Sequence, residues 1–318
     1  MSALAERAGQ LLGPQHTTYV VARVTPAGAD VDARGVSVHG DVELGSVTKG
    51  VTGLLWRDAV ARGEVAEDAV LRDHLAVEGP AAGLTLSSLA THTSGLPRLA
   101  GGSAMLGRTW ELWREGRNPY REDLPGLIAQ VGEVKVGRAG KASYSNLGFQ
   151  LLGHAVAAAA SMSYADLVAA RIVAPLGLLD TYAPVSADEL RPGAVPALNR
   201  RGTEVEPWAN EALLPAGGVR SSAADLALLL RALLDGGVVG IGALDPVAPF
   251  GGGMRIGAGW LTGNVAGHEV TWHNGGTGGF RSFVGVDRER GTGIALVSAS
   301  TRSVDGAASR LLFEAEAR

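Results

Sequence analysis

The spacing of hydrophobic and polar positions changes twice along the chain, and each change marks a different kind of element. TTYVVARV (residues 17–24) and residues 28–38 are β-rich and are separated by the turn-like TPAG, which predicts an antiparallel hairpin. After Gly45 the apolar residues recur at helical spacing and predict a helix that ends near Gly63, its C-cap. Strand-like segments return from residue 255 onward as RIGAGWLTG, EVTWHNGG, FRSFVGVD and GIALVSAS. The chain therefore has β-rich ends and a helical middle.

Helical segments joined by loops rich in glycine and proline make up the middle of the chain, about residues 64–205. LTLSSLATHTSGLP predicts a short helix that begins near Thr85 and is stopped by its Gly and Pro. NLGFQLLGHAVAAAA predicts a longer helix. In SYADLVAARIVAPLGL and SSAADLALLLRALLDGG, Ser163 and Ser222 each stand three residues before an aspartate, as in a helix cap. MSALAERAGQLLGPQ and VDGAASRLLFEAEAR predict amphipathic helices at the two termini.

These elements predict an α/β (α+β) fold in which strands distant in sequence share one antiparallel sheet. The helices at the two termini flank that sheet, and an all-helical domain is inserted between the strands. We predict a sheet domain from residues 1–45 and 206–318 and a helical domain from residues 46–205. A cleft between two such units is a usual place for a small-molecule site, so we expect the functional site there.

Composition and charge exclude several kinds of partner and site. The chain has 318 residues, a formal net charge of −4 and no cysteine, which gives no electrostatic footprint for nucleic acid and rules out disulfides and cysteine-based zinc sites. No two histidines are spaced as metal ligands and no dinucleotide-binding glycine pattern is present, so we expect no metal and no cofactor. No segment reaches membrane-spanning quality and the N-terminus does not look like a secretory signal, so we expect a cytoplasmic protein. The sequence does not indicate the oligomeric state.

ELGSVTKGVTGLLW places one of the chain's few lysines three residues after a serine, at the start of a predicted helix. Ser46 and Lys49 at this spacing lie on the same face of the helix. A serine hydroxyl is a poor nucleophile until a base takes its proton, and a lysine in a partly dry site can lose its charge and act as that base. The helix N-terminus adds positive potential where an oxyanion would form. A capping serine beside a solvated lysine explains the spacing equally well.

Two further segments carry residues suited to catalysis. In SYSNLGFQLLG, Tyr144 can shuttle a proton or be held as a phenolate near a lysine, and Asn146 offers a donor and an acceptor to an ester or amide. In TWHNGGTGGF, the glycines let a backbone approach a ligand closely, and an N–H there could form an oxyanion hole with that of Ser46. The structural alternatives are an asparagine N-cap beside a buried aromatic ring, and a β-bulge with a glycine turn. Trp260 and Trp272 flank the predicted site and are candidates to line it.

The three segments occur in the order Ser-x-x-Lys, Tyr-x-Asn, His-x-Gly, and with them the chain resembles the serine β-lactamase and penicillin-binding-protein superfamily. It resembles in particular the class C-like group of β-lactamases, D-alanyl-D-alanine carboxypeptidases, D-aminopeptidases and family VIII esterases. The resemblance extends over nearly the whole chain, through LGSVTKGVTGLL, LTLSSLATHTSGLP, YSNLGFQLLG, IVAPLGLLDT, PAGGVRSSAADLALLL, GAGW and HNGGTGGF. It implies a β-lactamase/transpeptidase-like fold and is poorly specific for the substrate.

The resemblance also implies the catalytic roles. Ser46 would be the acylated nucleophile, Lys49 its base partner and Tyr144 the proton shuttle. The expected activity is that of a serine hydrolase that works through an acyl-enzyme on a small ester, amide or peptide, without a cofactor. Two alternatives use the same residues: an acyltransferase, and a sensor domain that binds a β-lactam or peptide without turnover.

Four more residues are assigned to substrate binding by the same resemblance. Asn146 would hold the substrate carbonyl, and the backbone N–H of Gly276 would pair with that of Ser46 as the oxyanion hole. His273 stands where many relatives have lysine, with Gly275 two residues on. Histidine is neutral for much of the time near pH 7, so attraction to an acidic substrate is reduced, and we expect inefficient turnover of β-lactams.

Overall fold

The computed structural model describes residues 3–100 and 104–314. The helices are α1 (Ala3–Leu12), α2 (Thr48–Ala61), α3 (Leu86–Ala90), α4 (Ala104–Glu115), α5 (Leu124–Gly132), α6 (Asn146–Ala159), α7 (Tyr164–Val168), α8 (Ala174–Leu176), α9 (Leu214–Gly217), α10 (Ala223–Asp235) and α11 (Asp305–Phe313). The strands are β1 (Tyr19–Thr25), β2 (Gly28–Arg34), β3 (Val42–Glu43), β4 (Arg220–Ser221), β5 (Ala248–Gly251), β6 (Met254–Ile256), β7 (Leu261–Val265), β8 (His268–Gly276), β9 (Arg281–Asp287) and β10 (Thr292–Ser298). The predicted terminal helix extended to residue 318, and its last four residues lie outside the described part.

Within the described residues, eight strands form one sheet in the order β2-β1-β10-β9-β8-β7-β6-β5, and all neighbours are antiparallel. β1 pairs with β2 as the predicted hairpin and with β10 on its other side, from Tyr19 opposite Ser298 to Val24 opposite Gly293. This pairing confirms that strands from the two ends of the chain share a sheet. The sequence did not predict β5, because it is a four-residue edge strand with a proline, Pro249, and an irregular register.

Different helices cover the two faces of the sheet. Because side chains alternate along a strand, β1 directs Val20 and Val24 to one face and Tyr19 and Val21 to the other. The first face packs against α10 and belongs to the larger hydrophobic core. The second face packs against α1 and α11 and forms a smaller core. The two terminal helices therefore flank the sheet as predicted, and both lie on the same side of it.

The larger core runs from the sheet into the helical region without a break. Leu54 of α2, Phe149 of α6 and Trp260, which precedes β7, are buried in the same cluster as Val20 of β1. β3 and β4 pair with each other and join the segment before α2 to the segment before α10. The boundaries between a sheet domain and a helical domain stay a prediction.

Several helices begin at the predicted capping residues. Ser163 accepts a hydrogen bond from the Asp166 N–H at 3.0 Å, and Ser222 accepts one from the Asp225 N–H at 3.2 Å. The helix predicted from LTLSSLATHTSGLP is shorter than expected, because α3 covers only its first part. His92, shortly after α3, has a φ of 57°, which turns the chain out of the helical path.

No single helix in the described part of the chain is long and apolar enough to cross a membrane. Only α6 and the helical run Tyr164–Leu176 taken together reach that length and composition, and they are bent by 78°. A π-helical segment, Ala169–Val173, joins α7 to α8 within that run.

Candidate active site

Ser46 lies directly before α2, in a short 3₁₀ turn formed by Gly45–Val47. Gly45 has a φ of 52°, a conformation that residues with a side chain rarely adopt. A side chain there would also collide with the end of β8, because an added Cβ would lie 2.9 Å from the Gly276 nitrogen. Glycine at position 45 therefore lets the segment that carries Ser46 pack directly against β8.

Lys49 is fully buried and points at the serine. Its Nζ donates a hydrogen bond to Ser46 Oγ at 3.0 Å and another to the Ala216 carbonyl oxygen at 2.5 Å. Ser46 makes no capping hydrogen bond at the start of α2. The alternative of a capping serine beside a solvated lysine is therefore wrong.

The surroundings of Lys49 favour its neutral form. Burial lowers the pKa of Lys49 well below its ordinary value of 10.5, and the positive charge of Arg98 lowers it further. No acidic side chain in residues 3–100 and 104–314 forms an ion pair with the amine that would oppose this effect. A neutral amine 3.0 Å from a hydroxyl can accept its proton.

Tyr144 completes a group of three with the serine and the lysine. It lines the same cavity as Ser46, and its ring centre lies 5.1 Å from the Lys49 Nζ. Burial raises the pKa of Tyr144 to about 12, although the nearby Ser46 side chain and the charge of Arg98 act in the opposite direction. The phenol keeps its proton at neutral pH, which favours a proton shuttle over a standing phenolate.

His92 packs against Tyr144 and fixes the start of α6. Its ring centre lies 4.6 Å from that of Tyr144 and 4.8 Å from that of Phe149. Its Nδ1 accepts a hydrogen bond from the Ser145 N–H at 3.1 Å. Burial lowers the pKa of His92 well below 6.5, and nearby positive groups lower it further, so His92 adds no charge beside Lys49 at neutral pH.

The end of β8 approaches Ser46 closely. Its last residues pair in register with β9, so the alternative of a β-bulge is wrong. An added Cβ at Gly275 would lie 2.4 Å from the Leu44 oxygen and 2.9 Å from the Ser46 nitrogen, so only glycine allows this contact. The backbone nitrogens of Ser46 and Gly276 lie where these two segments meet, and the oxyanion hole that they would form stays a prediction.

Asn146 is buried, and it is the first residue of α6 rather than its cap. The capping residue is Ser145, whose Oγ accepts a hydrogen bond from the Gly148 N–H at 2.9 Å, so the alternative of an asparagine N-cap is wrong. The Asn146 Nδ2 donates to the Tyr120 hydroxyl at 2.6 Å, and its Oδ1 has no partner within the described residues. A contact between Asn146 and a substrate stays a prediction.

His273 is buried and uncharged. Burial lowers the pKa of His273 to about 3, and the Lys49 amine lowers it further when it is protonated. Its Nδ1 donates to the Asn274 carbonyl oxygen at 2.6 Å. Position 273 therefore provides no cation to a substrate at neutral pH, and its predicted contact with the substrate stays a prediction.

A cavity of about 470 Å³ contains the serine hydroxyl. It is lined by Ser46, Arg98, Leu112, Tyr144, Trp208, Asn274, Gly275, Gly276, Thr277, Arg281, Ser303 and Asp305. The sequence analysis missed the two arginines. Arg98 directly follows THTSGLP and Arg281 directly follows HNGGTGGF, so their position beside recognisable segments was the available signal. No three His, Asp or Glu side chains of the described residues are grouped to hold a metal ion.

Trp208 is a tryptophan on the cavity wall, whereas Trp260 and Trp272 are not. Trp260 is buried behind α2, where its Nε1 donates to the Gly50 carbonyl oxygen at 3.1 Å. Trp272 packs in the smaller core on the opposite face of the sheet. The expectation that Trp260 and Trp272 line the site was wrong, because closeness in sequence does not decide which face of a strand a side chain occupies.

The match to a family decides how this arrangement is classified. The family model described as Beta-lactamase matches residues 19–318. The chain belongs to the beta-lactamase family. Its fold is shared by a beta-lactamase/D-alanine carboxypeptidase from Pseudomonas syringae, with a TM-score of 0.83 and 17% identity over 99% of this chain and 100% of that one. A class C beta-lactamase from Rhodobacter sphaeroides has a TM-score of 0.80 and 20% identity over 98% of each chain.

A curated relative of this beta-lactamase-family chain matches a shorter segment. The D-alanyl-D-alanine-carboxypeptidase/endopeptidase AmpH of Escherichia coli (strain K12) is 38% identical over 108 residues. The match covers 34% of this chain and 26% of AmpH, so it spans about a quarter of the relative's length. The predicted superfamily and fold are confirmed.

Proposed function

We propose that this beta-lactamase-family chain is a serine hydrolase that works through an acyl-enzyme on a small ester or amide. The proposal rests above all on the 3.0 Å hydrogen bond between Ser46 Oγ and the Nζ of the fully buried Lys49. A buried amine with a lowered pKa is the kind of base that turns a serine into a nucleophile. The serine is partly exposed to a cavity of about 470 Å³, so a substrate can reach it.

Acylation begins when neutral Lys49 takes the proton of the Ser46 hydroxyl. The Ser46 oxygen bonds to the substrate carbonyl carbon, and the carbonyl electron pair moves to its oxygen, where the N–H groups of Ser46 and Gly276 would stabilise it. The bond from the carbonyl carbon to the leaving group then breaks. Tyr144 gives its proton to the leaving group and regains one from the protonated Lys49, so no net charge is left on the enzyme.

Deacylation runs through the same groups with water in place of the leaving group. The pair formed by Lys49 and Tyr144 takes a proton from the water as its oxygen bonds to the acyl carbon. The ester bond to Ser46 breaks, and that proton returns to the Ser46 oxygen. The product is the free carboxylic acid.

The names of two relatives and the charge of the site support the proposed substrate class. AmpH is named a D-alanyl-D-alanine-carboxypeptidase/endopeptidase and the Pseudomonas syringae protein a beta-lactamase/D-alanine carboxypeptidase, which makes D-amino-acid amides candidate substrates. His273 has a pKa of about 3, so it gives an acidic β-lactam no cation at neutral pH. Small esters and D-amino-acid amides are therefore proposed ahead of β-lactams.

The direct test compares hydrolysis of p-nitrophenyl acetate by the wild type, Ser46→Ala and Ser186→Ala. Ser186 lies in a surface segment and makes no capping hydrogen bond, so it is a matched control. We expect Ser46→Ala to lower kcat/KM by ~10³-fold or more and Ser186→Ala to match the wild type. Equal rates for the wild type and Ser46→Ala would contradict the proposal.

Intact-protein mass spectrometry with the same ester separates hydrolysis from the two alternatives. A hydrolase shows an acetyl adduct that forms and clears, and Ser46→Ala shows none. An adduct that never clears would indicate a sensor domain. Formation of the ester of an added alcohol, in place of acetate, would indicate acyl transfer.

A further inference from the structure

A second cavity of about 270 Å³ adjoins the catalytic one. The two cavities share Leu112, Thr277 and Arg281. The second cavity is completed by Asn199, Arg200, Arg201, Gly278 and Thr301. Its described lining thus contains three arginines and no carboxylate, so its charge favours an anionic group.

Arg281 stands where the two cavities meet. It is the first residue of β9 and pairs with Gly276, whose N–H belongs to the proposed oxyanion hole. The guanidinium packs directly over this glycine, because an added Cβ at Gly276 would lie 2.6 Å from Arg281 Nη1. The positive charge is therefore held beside the position proposed for the reacting carbonyl.

One nitrogen of the Arg281 guanidinium is tied to the protein. Nη1 donates to the Thr277 carbonyl oxygen at 3.0 Å and to the Phe280 carbonyl oxygen at 2.8 Å, which fixes its orientation. Within residues 3–100 and 104–314, no hydrogen bond or ion pair uses its Nε or Nη2. Asp305, on the same wall, accepts a hydrogen bond from Ser303 at 2.9 Å. A held guanidinium with unused donors is suited to bind a carboxylate.

The surroundings of Arg281 leave its charge only partly compensated. Burial lowers the pKa of Arg281, and the charge of Arg200 lowers it further, while Asp305 acts in the opposite direction. A bound anion would accept hydrogen bonds from the Arg281 guanidinium in place of water, and its negative charge would offset the repulsion between Arg281 and Arg200.

The mechanism decides which part of a substrate reaches this second cavity. Tyr144 and Arg98 line the catalytic cavity and do not line the second one. Because Tyr144 protonates the leaving group in the proposed mechanism, the leaving group lies on its side of the serine. The acyl part then extends toward Thr277 and the second cavity.

We propose that the second cavity holds the acyl part of the substrate and that this acyl part ends in a carboxylate bound by Arg281. The substrates are then monoesters or monoamides of short dicarboxylic acids, with Leu112 packing against the methylene chain. The inference rests on the proposed function, because the role of Tyr144 sets the orientation of the substrate.

The test uses two p-nitrophenyl esters with six-carbon acyl chains, mono-p-nitrophenyl adipate and p-nitrophenyl hexanoate. We expect the wild type to prefer the adipate in kcat/KM by about 10-fold or more, since a charge-assisted hydrogen bond to the carboxylate is added. We expect Arg281→Gln to lower the adipate-to-hexanoate ratio by about 10- to 100-fold and Arg281→Lys to retain part of it. Arg288→Gln, which removes an arginine paired with Asp245 on the surface, leaves the ratio unchanged.

Three other outcomes would overturn the inference, and they are distinguishable. Ser46-dependent hydrolysis of both esters without a preference for the adipate would refute the anionic acyl pocket and leave the proposed function intact. Acetyl 4-hydroxybenzoate carries its carboxylate on the leaving group. If Arg281→Gln lowered kcat/KM for this ester and not for the adipate, Arg281 would bind a carboxylate of the leaving group and not of the acyl part. Failure of the protein to hydrolyse either ester through Ser46 would refute both proposals.

Discussion

Two groups of basic side chains meet at the cleft, and they differ in charge. Lys49, His92 and His273 are buried, and burial lowers the pKa of each of them. Arg98 and Arg281 line the cavity and carry guanidinium groups, which stay protonated at neutral pH. Basic residues are thus uncharged in the buried surroundings of Ser46 and charged on the cavity wall.

Burial lowers the pKa in both groups, but it leaves them with different charges at neutral pH. Burial lowers the pKa of Lys49 from an ordinary value of 10.5 and that of Arg281 from 12.5. The lysine can therefore become neutral in a dry site, whereas the guanidinium remains charged. A permanent charge nearby also helps to keep the lysine neutral, because Arg98 lowers the pKa of Lys49.

The largest expected effect comes from removing the neutral base. Lys49→Met keeps an apolar chain of similar length in the buried site and removes the amine that contacts Ser46. We expect kcat/KM for p-nitrophenyl acetate to fall by about 10³-fold, with a far-ultraviolet circular dichroism spectrum like that of the wild type. Lys135→Met, at an exposed position, is the matched control. Full activity in Lys49→Met would show that the buried amine is not the base.

Much of the fold was predictable because its signals are local. The periods of β1, β2, α2 and α6 are visible within each segment, and serines at their predicted positions cap α7 and α10. β5 was missed because an edge strand of four residues with a proline has no hydrophobic alternation to detect. Likewise, the early end of α3 depends on the φ of one residue, His92, which no pattern reports.

The site was predictable only as far as its segments were recognisable. Ser46, Lys49 and Tyr144 were found from their motifs, but the motif alone could not distinguish a buried lysine from a solvated one. The deciding contact is the hydrogen bond to the Ala216 carbonyl, 167 residues away along the chain. Arg281 was missed for a related reason, since its importance arises from packing over Gly276 on a neighbouring strand.

An effect of intermediate size is expected on stability at acid pH, because two buried histidines have lowered pKa values. The pKa of His273 is about 3 and that of His154 about 4 in the folded protein, against 6.5 for an ordinary histidine. Between these values the unfolded chain binds more protons than the folded one, so the free energy of unfolding rises with pH. The stability that these neutral histidines contribute is therefore fully present above about pH 6.5, and it is lost as the pH falls toward their folded pKa values.

Replacement of one histidine isolates its share of this loss. We expect the wild type to lose on the order of 2 kcal/mol more than His273→Gln between pH 7 and pH 4.5, measured by urea unfolding at each pH. His154→Gln, remote from the serine, provides a second measurement of the same kind. A wild type and a His273→Gln variant with identical pH dependence would mean that His273 is not held neutral, and the contrast between the two groups would fail.

The smallest expected effect is the influence of the charged Arg98 on the pKa of the buried Lys49. The Arg98 guanidinium lies over the Tyr144 ring, 5.2 Å from its centre, and its charge lowers the pKa of Lys49. In the proposed mechanism activity requires neutral Lys49, so the acid limb of kcat/KM is expected to follow the pKa of Lys49. Arg98→Gln removes the neighbouring charge, raises that pKa and moves the acid limb to higher pH. Because Arg98 is exposed and screened by solvent, the shift should be small.

Charge and shape at position 98 can be separated by a conservative variant. Arg98→Lys keeps the charge and should leave the acid limb close to its wild-type position, whereas Arg98→Gln should shift it. Added salt should move the wild-type limb toward that of Arg98→Gln and change the variant little, because only the wild type has this charge to screen. If the acid limb of Arg98→Gln stays in place or moves to lower pH, the charge of Arg98 does not lower the pKa of Lys49. The lowered pKa of Lys49 would then result from burial alone.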